Sequence, residues 1–519
     1  MEINISGDNK LQLFITNKKI DKKLITHLSI NNCKNLTHLP DIIGILGALT
    51  TLEINNCNKL THLPDNIGQL LRALTTFRID NCNNLTHFPD SFCQLLALTT
   101  LEIDNCNNLT HFPDSLGNLR ALTTFTINYC NILTHLPDSI GNLQALTSLE
   151  ISRCNNLTHF PESVGNLSAL TTFNISGCDK LTNLPDSFGQ LRALTKLNIW
   201  NCNNLTHLPA SFGNLHALTT FNINDCNNLT HLADSIGNLP ESFGNLHALT
   251  TCNIHDCNNL THLPDSIGNL HALTTFKIFN CKKLTHFPDS FGQLLELTTL
   301  TIWSCNKLIY LPESFGNLSA LTTFYIEFCN NLTHLPETVG RMRALTTLQI
   351  NYCKNLTHLP ETVGRMRALT TLQINYCKNL THLPDSIGQL RALTTFQIQN
   401  CEQITHLPES FGNLSALTTL IINCEQITHL PESFGNLSAL TTLIINCDKL
   451  THTILQNSIC FCKNLQSIYI SNINMLPPSM ILLEKLNDIK VIDKYYVTTI
   501  QNINEMQLIW YRILQNMFI

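Results

Sequence analysis

Cysteine and histidine recur along the chain at intervals that could support nucleophilic catalysis, metal binding or disulfide formation. Eighteen of the 22 cysteines form a series whose successive members are usually 24 residues apart. Its members are Cys33, Cys57, Cys82, Cys106, Cys130, Cys154, Cys178, Cys202, Cys226, Cys257, Cys281, Cys305, Cys329, Cys353, Cys377, Cys401, Cys424 and Cys447. In sixteen units a histidine follows five residues later. A Cys–His pair can form an activated nucleophile, and both side chains are zinc ligands.

The abundance of these pairs favours a structural role over chemistry. A catalytic pair is singular and depends on an orienting third group, whereas this one is copied into almost every unit. We expect the Cys to face the core and the His to face solvent. The sequence therefore predicts no catalytic residue, no metal ligand and no cofactor, and a chain that is not an enzyme. Stacked thiols would be a liability in an oxidising compartment, so the predicted location is the cytoplasm.

The elements that hold these residues are copies of one unit, L-T-T-[LF]-x-I-x-N-C-x-N-L-T-H-L-P-[DE]-S-[IF]-G-N-L-x-A. Apolar residues at positions 4 and 6, between polar neighbours, predict a short strand with one buried face that starts from the first Leu. Pro at position 16 and a carboxylate at 17 favour a brief helical or 3-10 segment, and Gly at 20 ends it. One unit cannot bury its apolar face alone, so stacking must form a continuous core.

The spacing of the units is irregular at a few steps. Between Cys226 and Cys257 the step is 31 residues, and we predict that the strand ladder continues past an enlarged loop. Two pairs of units are identical in sequence, which indicates tandem duplication and fits a binding surface better than an active site. The copied segments are Asn331–Lys354 with Asn355–Lys378, and Glu402–Cys424 with Glu425–Cys447.

Composition limits the classes of partner. Of 519 residues only 13% are charged, and the net charge is -6, which argues against a generally basic surface that binds nucleic acid. No run of 18 apolar residues occurs, so no membrane span is predicted. The first residues, Met1–Ile5, have neither a cationic start nor a continuous apolar run, so no secretory signal is expected. The expected state is a monomer.

The unit resembles the leucine-rich repeat, with a strand block L-x-x-L-x-I-x-x-C-x-x-L. It is most similar to repeats at the C-terminal end of plant intracellular immune receptors of the TIR-NB-LRR type. The phosphate-binding loop G-x-x-x-x-G-K-[ST] of their nucleotide-binding domain does not occur here. The resemblance implies an α/β repeat solenoid, a horseshoe whose concave sheet has about 20 parallel strands and whose convex segments are short or irregular. The predicted divisions are an N-terminal cap (1–24), Cys-containing repeats (25–447), degenerate repeats (448–491) and a C-terminal cap helix (492–519).

Candidate partner-binding residues lie at the exposed strand positions 5, 7 and 8, which vary while the rest of the unit stays fixed. An aromatic set is predicted on the concave face: Trp200, His255, Phe279, Trp303, Tyr325, Phe328, Tyr352 and Tyr376. An acidic set precedes it: Glu53, Asp80, Glu102, Asp104 and Glu150, relieved by Arg78 and Arg153. Clustered exposed aromatics are typical of interface hot spots, although a drifting array would also scatter some on its surface.

These observations favour a non-catalytic scaffold that binds a protein partner on its concave face, without nucleic acid or membrane. One alternative is a recognition subunit of a signalling or ubiquitin-ligase assembly that is engaged through its terminal caps. Another is an enzyme whose chemistry lies in roughly the last 70 residues.

Overall fold

The computed structural model describes residues 1–17, 19–229, 231–232, 235–236, 241–447, 449–450, 459–471, 483–492 and 497–500. The chain forms two compact units, Met1–Leu270 and His271–Ile519. Each unit contains a parallel sheet of five-residue or slightly shorter strands, joined by turns that are mostly 3-10 helical. This arrangement confirms the predicted α/β repeat solenoid, and it places one strand and one turn in nearly every repeat.

The first unit begins with a strand, a helix and a 3-10 turn that precede the repeats. Its parallel strands are Glu2–Ser6, His27–Asn31, Thr51–Asn55, Thr76–Asp80, Thr100–Asp104, Thr124–Asn128, Ser148–Ser152, Thr172–Ser176, Lys196–Trp200, Thr220–Asn224 and Thr251–His255. Its α-helices are Asp8–Thr16 and Ile67–Leu70. Its 3-10 turns are Lys22–Leu24, Asp41–Ile45, Asp90–Gln94, Leu116–Asn118, Asp138–Asn142, Glu162–Asn166, Asp186–Gln190, Ala210–Asn214, Glu241–Asn245 and Asp265–Asn269.

The second unit continues the same pattern. Its parallel strands are Thr275–Phe279, Thr299–Trp303, Thr323–Glu327, Thr347–Asn351, Thr371–Asn375, Thr395–Gln399, Thr419–Asn423, Thr442–Ile445, Ser467–Ile470 and Asp488–Ile492. A final strand, Val497–Ile500, runs antiparallel to Asp488–Ile492. Its 3-10 turns are Asp289–Gln293, Glu313–Asn317, Glu337–Arg341, Glu361–Arg365, Asp385–Gln389, Glu409–Asn413, Glu432–Asn436 and Ile459–Phe461. The C-terminal cap helix was predicted over 492–519; the described part of that range is strand, since Ile492 ends one strand and Val497–Ile500 forms the next, and residues 501–519 lie outside the described residues.

The apolar residues of each repeat pack in the core, as predicted. In one typical repeat Leu146, Leu149, Ile151 and Cys154 all have zero exposure. The strands begin two residues later than predicted. The amide of Leu49, for example, donates to Leu46 O at 2.9 Å, so the first Leu still belongs to the preceding turn.

Two irregular steps have clear structural consequences. Across the 31-residue step, Thr220–Asn224 pairs in parallel register with Thr251–His255, which confirms that the strand ladder continues. Between them, His231–Leu232 and Ser235–Ile236 form a small antiparallel pair. The step from Cys57 to Cys82 is 25 residues, through one extra Leu in Leu70-Leu71. This repeat has an α-helical turn, Ile67–Leu70, because the added residue allows an i to i+4 bond from Leu71 N to Ile67 O at 3.0 Å.

Candidate binding surface

The sheet presents an open face formed by the exposed side chains of strand positions 3, 5 and 7 and by the residue at position 8. In the strand Thr323–Glu327, Phe324 and Ile326 are buried, whereas Tyr325 and Glu327 are half-buried and point the other way. This alternation follows from the period of two in a β-strand. Within each unit, the residues at the variable strand positions therefore lie on one face of the sheet.

The residue at position 8 adopts a left-handed backbone that the sequence analysis did not anticipate. In the second repeat its amide, Asn56 N, donates to the position 7 carbonyl of the next repeat, Asp80 O, at 2.9 Å. Most repeats have Asn, Asp or Gly here, residues that tolerate positive φ. The sequence feature that indicates this left-handed backbone is the recurrent Asn immediately before Cys. Both 23-residue steps delete this residue, so Asn423 is followed directly by Cys424.

Residues other than Asn, Asp and Gly hold the same left-handed backbone at six positions. They are Tyr129, Arg153, Ser304, Phe328, Tyr352 and Tyr376, with φ between 52° and 57°. This conformation costs an L-residue with a Cβ about 1–2 kcal/mol. Strain of this kind tends to cluster at functional sites, where the surrounding structure maintains it.

Five aromatic rings form a continuous series on the open face of the second unit, which we call the aromatic stack. Phe279 lies 6.2 Å from Trp303, and Trp303 lies 5.3 Å from Phe328, measured between ring centroids. Phe328, Tyr352 and Tyr376 then stack in parallel at 4.2 and 4.3 Å. Phe279 and Trp303 occupy position 7 of their repeats, whereas Phe328, Tyr352 and Tyr376 occupy position 8.

The other predicted aromatic residues lie apart from this stack. Tyr325 is at position 5, where its register neighbours are Thr301 and Gln349 rather than aromatic residues. Trp200 and His255 belong to the first unit; Trp200 is 46% exposed. The structure thus brings together five of the eight residues, all of them in the second unit.

The predicted acidic set is organised around one arginine. Arg78 Nη1 lies 3.2 Å from Glu53 Oε1, and its Nε lies 2.8 Å from Glu102 Oε2. These carboxylates raise the pKa of Arg78, chiefly through the hydrogen bond to Glu102. Burial and the neighbouring Asp80 raise the pKa of Asp104. Arg78 therefore compensates part of the acidic charge within the sheet, whereas Arg153 donates to Tyr129 Oη at 2.6 Å.

The cysteine series lies in the core, at the end of each strand. Cys57 Sγ contacts Asn55 O at 3.5 Å and the carbonyl of Ile30, in the preceding repeat, at 3.9 Å. All 22 cysteines are described, and none is in a disulfide. Burial raises the pKa of Cys106 and of Cys154 to about 12, so these thiols stay protonated at neutral pH.

Thiol reactivity should report this burial. At pH 8 we expect Cys460, the one partly exposed cysteine, to react quickly with Ellman's reagent, whereas the buried thiols react only as the protein unfolds. Denatured protein that has not been reduced should then give nearly 22 thiols. Several missing thiols would reveal disulfides and contradict the structural role.

The histidine series forms stacked pairs at the surface. The His87 and His111 rings are 6.1 Å apart, and the His406 and His429 rings are 5.6 Å apart. Each ring also bonds the preceding threonine; Thr110 Oγ1 is 2.7 Å from His111 Nδ1. Within the part of the chain that the structure describes, no group of three or more His, Cys, Asp or Glu side chains could hold a metal ion.

The sequence and the fold are similar to those of known leucine-rich-repeat proteins. A family model for a leucine-rich repeat region matches residues 23–155 and 127–259. A leucine-rich-repeat protein of Leptospira interrogans has a TM-score of 0.53 and 22% identity, over 86% of this chain and 96% of that chain. The Toll–Spätzle complex of Drosophila gives a TM-score of 0.59 and 19% identity, over 95% of this chain and 62% of that chain. A search of curated proteins gives no significant match.

The fold defines the class: the chain has the leucine-rich-repeat fold, and its residues 23–259 match the leucine-rich-repeat family model. Proteins of this class generally act as modules for protein–protein interaction. Among the described residues, no helix is both long enough and apolar enough to cross a bilayer.

Proposed function

We propose that the chain is a non-catalytic recognition module of the cytoplasm, and that its aromatic stack binds a protein partner. The observation that carries this proposal is the unbroken contact from Phe279 to Tyr376, in which three rings stand on left-handed backbone. A leucine-rich repeat does not need such residues, because other repeats fold with Asn at the same position. The strain is therefore better explained by binding than by folding.

The chemistry of the stack suits a partner with an apolar anchor and hydrogen-bonding groups. Aromatic side chains supply large contact areas at low conformational cost and dominate interface energetics. The two tyrosines add hydroxyl groups, and Glu327 lies beside the stack, where it accepts a hydrogen bond from Asn351 Nδ2 at 3.0 Å. In the Toll–Spätzle complex a similar fold holds a partner.

Substitution of the half-buried rings of the aromatic stack tests the proposal. With a partner that has been captured from host lysate and then purified, we expect Phe279→Ala and Trp303→Ala to weaken binding, by over about 2 kcal/mol for Trp303, the more central ring. Stability should change little because these side chains face outward. Gln349→Ala, on the same face but outside the stack, is the matched control. Unchanged affinity in both variants, or a large fall in melting temperature, would contradict this account.

Two finer proposals accompany this function. The repeat sequence suggests kinship with plant immune-receptor repeats, and the chain is proposed to act as a monomer.

A runner-up function is that of a recognition subunit in a signalling or ubiquitin-ligase assembly, held through its termini. Truncation after residue 450 separates the two: persistence of binding favours the aromatic stack, whereas its loss from a truncated chain with an unchanged circular dichroism spectrum per residue favours the termini.

A further inference from the structure

A groove of about 1870 Å³ lies along the 3-10 turns of the second unit, between Gly316 and Ser415. Five arginines line it: Arg341, Arg343, Arg365, Arg367 and Arg391. All five are exposed at the surface. Four of them come from the duplicated repeats, so the duplication doubled a pair of arginines as well as a tyrosine. We call this feature the arginine groove.

The groove is positively charged, and its five arginines are not in ion pairs with the described carboxylates. Among the described residues no carboxylate lies within 4.0 Å of any of the five guanidinium groups. Carboxylates of the same turns are used elsewhere: Glu313 Oε1 accepts from Glu337 N at 3.1 Å, and Glu361 Oε2 accepts from Ser386 N at 3.1 Å. Five cations therefore face solvent together in a chain whose net charge is -6.

The backbone beneath the arginines is tightly stacked and holds their spacing. A Cβ added at Gly340 would lie 2.0 Å from Thr362 O, and one at Gly364 would lie 2.3 Å from Ser386 O. Successive turns must therefore pack at close to the strand spacing of about 4.8 Å. Arginine backbones at a fixed pitch allow their guanidinium groups to line up with a row of carboxylates, each of which can accept two parallel hydrogen bonds.

We infer that the arginine groove binds an acidic, carboxylate-rich peptide segment of a protein partner. The lining residues include no aromatic ring on which a base could stack, which argues against single-stranded nucleic acid. The groove is also separate from the aromatic stack along the chain: Arg343 precedes the strand Thr347–Asn351, and Tyr352 follows it. The inference therefore stands independently of the function proposed above.

The test uses the full chain and a fluorescent peptide of sixteen alternating Glu and Asp residues, at low and at high salt. The five arginines are replaced by residues that sister repeats hold at the same positions: R341N and R365N after Asn317 and Asn413, and R343S, R367S and R391S after Ser319 and Ser415. Because those residues already fold in the array, the variant should keep its melting temperature. The matched control is R120S with R192S, two isolated arginines at the equivalent position in the first unit.

The variant with all five arginines replaced should bind the peptide about tenfold or more weakly, because five modest charge pairs are removed together. The control should stay within about twofold, and high salt should abolish the difference. Y352N and Y376N should leave peptide binding unchanged, which separates failure here from failure of the aromatic stack. Equal affinity of the variant and the wild type would overturn the inference. So would tighter binding of an oligothymidylate that carries the same charge.

Discussion

Replacing Gly340 with Ala should destabilise the protein by about 2–3 kcal/mol, the upper range for overpacking in a close-packed interior. The added Cβ would lie 2.0 Å from Thr362 O, a backbone atom that cannot rotate away. The effect is steric, because Gly340 lies within an ordinary 3-10 turn, Glu337–Arg341. Urea unfolding followed by circular dichroism measures the change.

Gly47→Ala is the matched control, since no atom lies within 4 Å of the added Cβ. It should shift the free energy of unfolding by less than about 0.5 kcal/mol. Equal effects at the two positions would show that the turns are not tightly stacked. The chain already contains one natural exception: Cys93 occupies the glycine position of its repeat, and the following turn is shortened to Leu116–Asn118.

Placing asparagine at Phe328, Tyr352 and Tyr376, the three residues of the aromatic stack with left-handed backbone, should separate an effect on binding from an effect on folding. In the variant F328N/Y352N/Y376N, we expect partner affinity to fall by over about 2 kcal/mol, the size of a hot-spot loss. Stability should stay constant or rise. Relief of left-handed strain returns about 1–2 kcal/mol per residue, which offsets the lost ring contacts at about 0.5–1.5 kcal/mol each.

The measurements for this variant are an affinity titration with purified partner and a thermal melt of the free protein. Asn400→Ala, which removes an asparagine from the same left-handed position outside the stack, is the reciprocal control. It should lower stability and leave affinity unchanged. A triple variant that binds normally, or that melts far below the wild type, would mean that the aromatic stack serves the fold.

Much of the fold could be predicted because each repeat restates the same constraints. Apolar residues at fixed positions and Pro at 16 led to the buried core and the 3-10 turns. Gly at 20 was expected to end each turn, but Gly340 lies within the turn Glu337–Arg341, where the close approach of the next repeat leaves no room for a Cβ. The ladder across the 31-residue step could also be predicted, because Leu249 restores the register of the repeat.

The details of the surface depend on distances between repeats, which a single unit does not contain. Glu53 and Glu102 are 49 residues apart, yet both bind Arg78, because position 5 of three successive strands is in register. The arginine groove escaped the sequence analysis for the same reason. The ring contacts of Phe328 depend on the left-handed backbone at position 8. In the sequence, the recurrent Asn at that position is the feature that indicates this backbone.

Photo-crosslinking from the aromatic stack tests the central claim most directly. Benzoylphenylalanine would be introduced at Tyr352 and, separately, at Tyr129, a tyrosine with the same left-handed position in the first unit. Irradiation in the presence of the purified partner should give a specific adduct from position 352 and little from position 129. Equal adducts from both positions, or none from position 352, would contradict the proposal that the aromatic stack is the binding site.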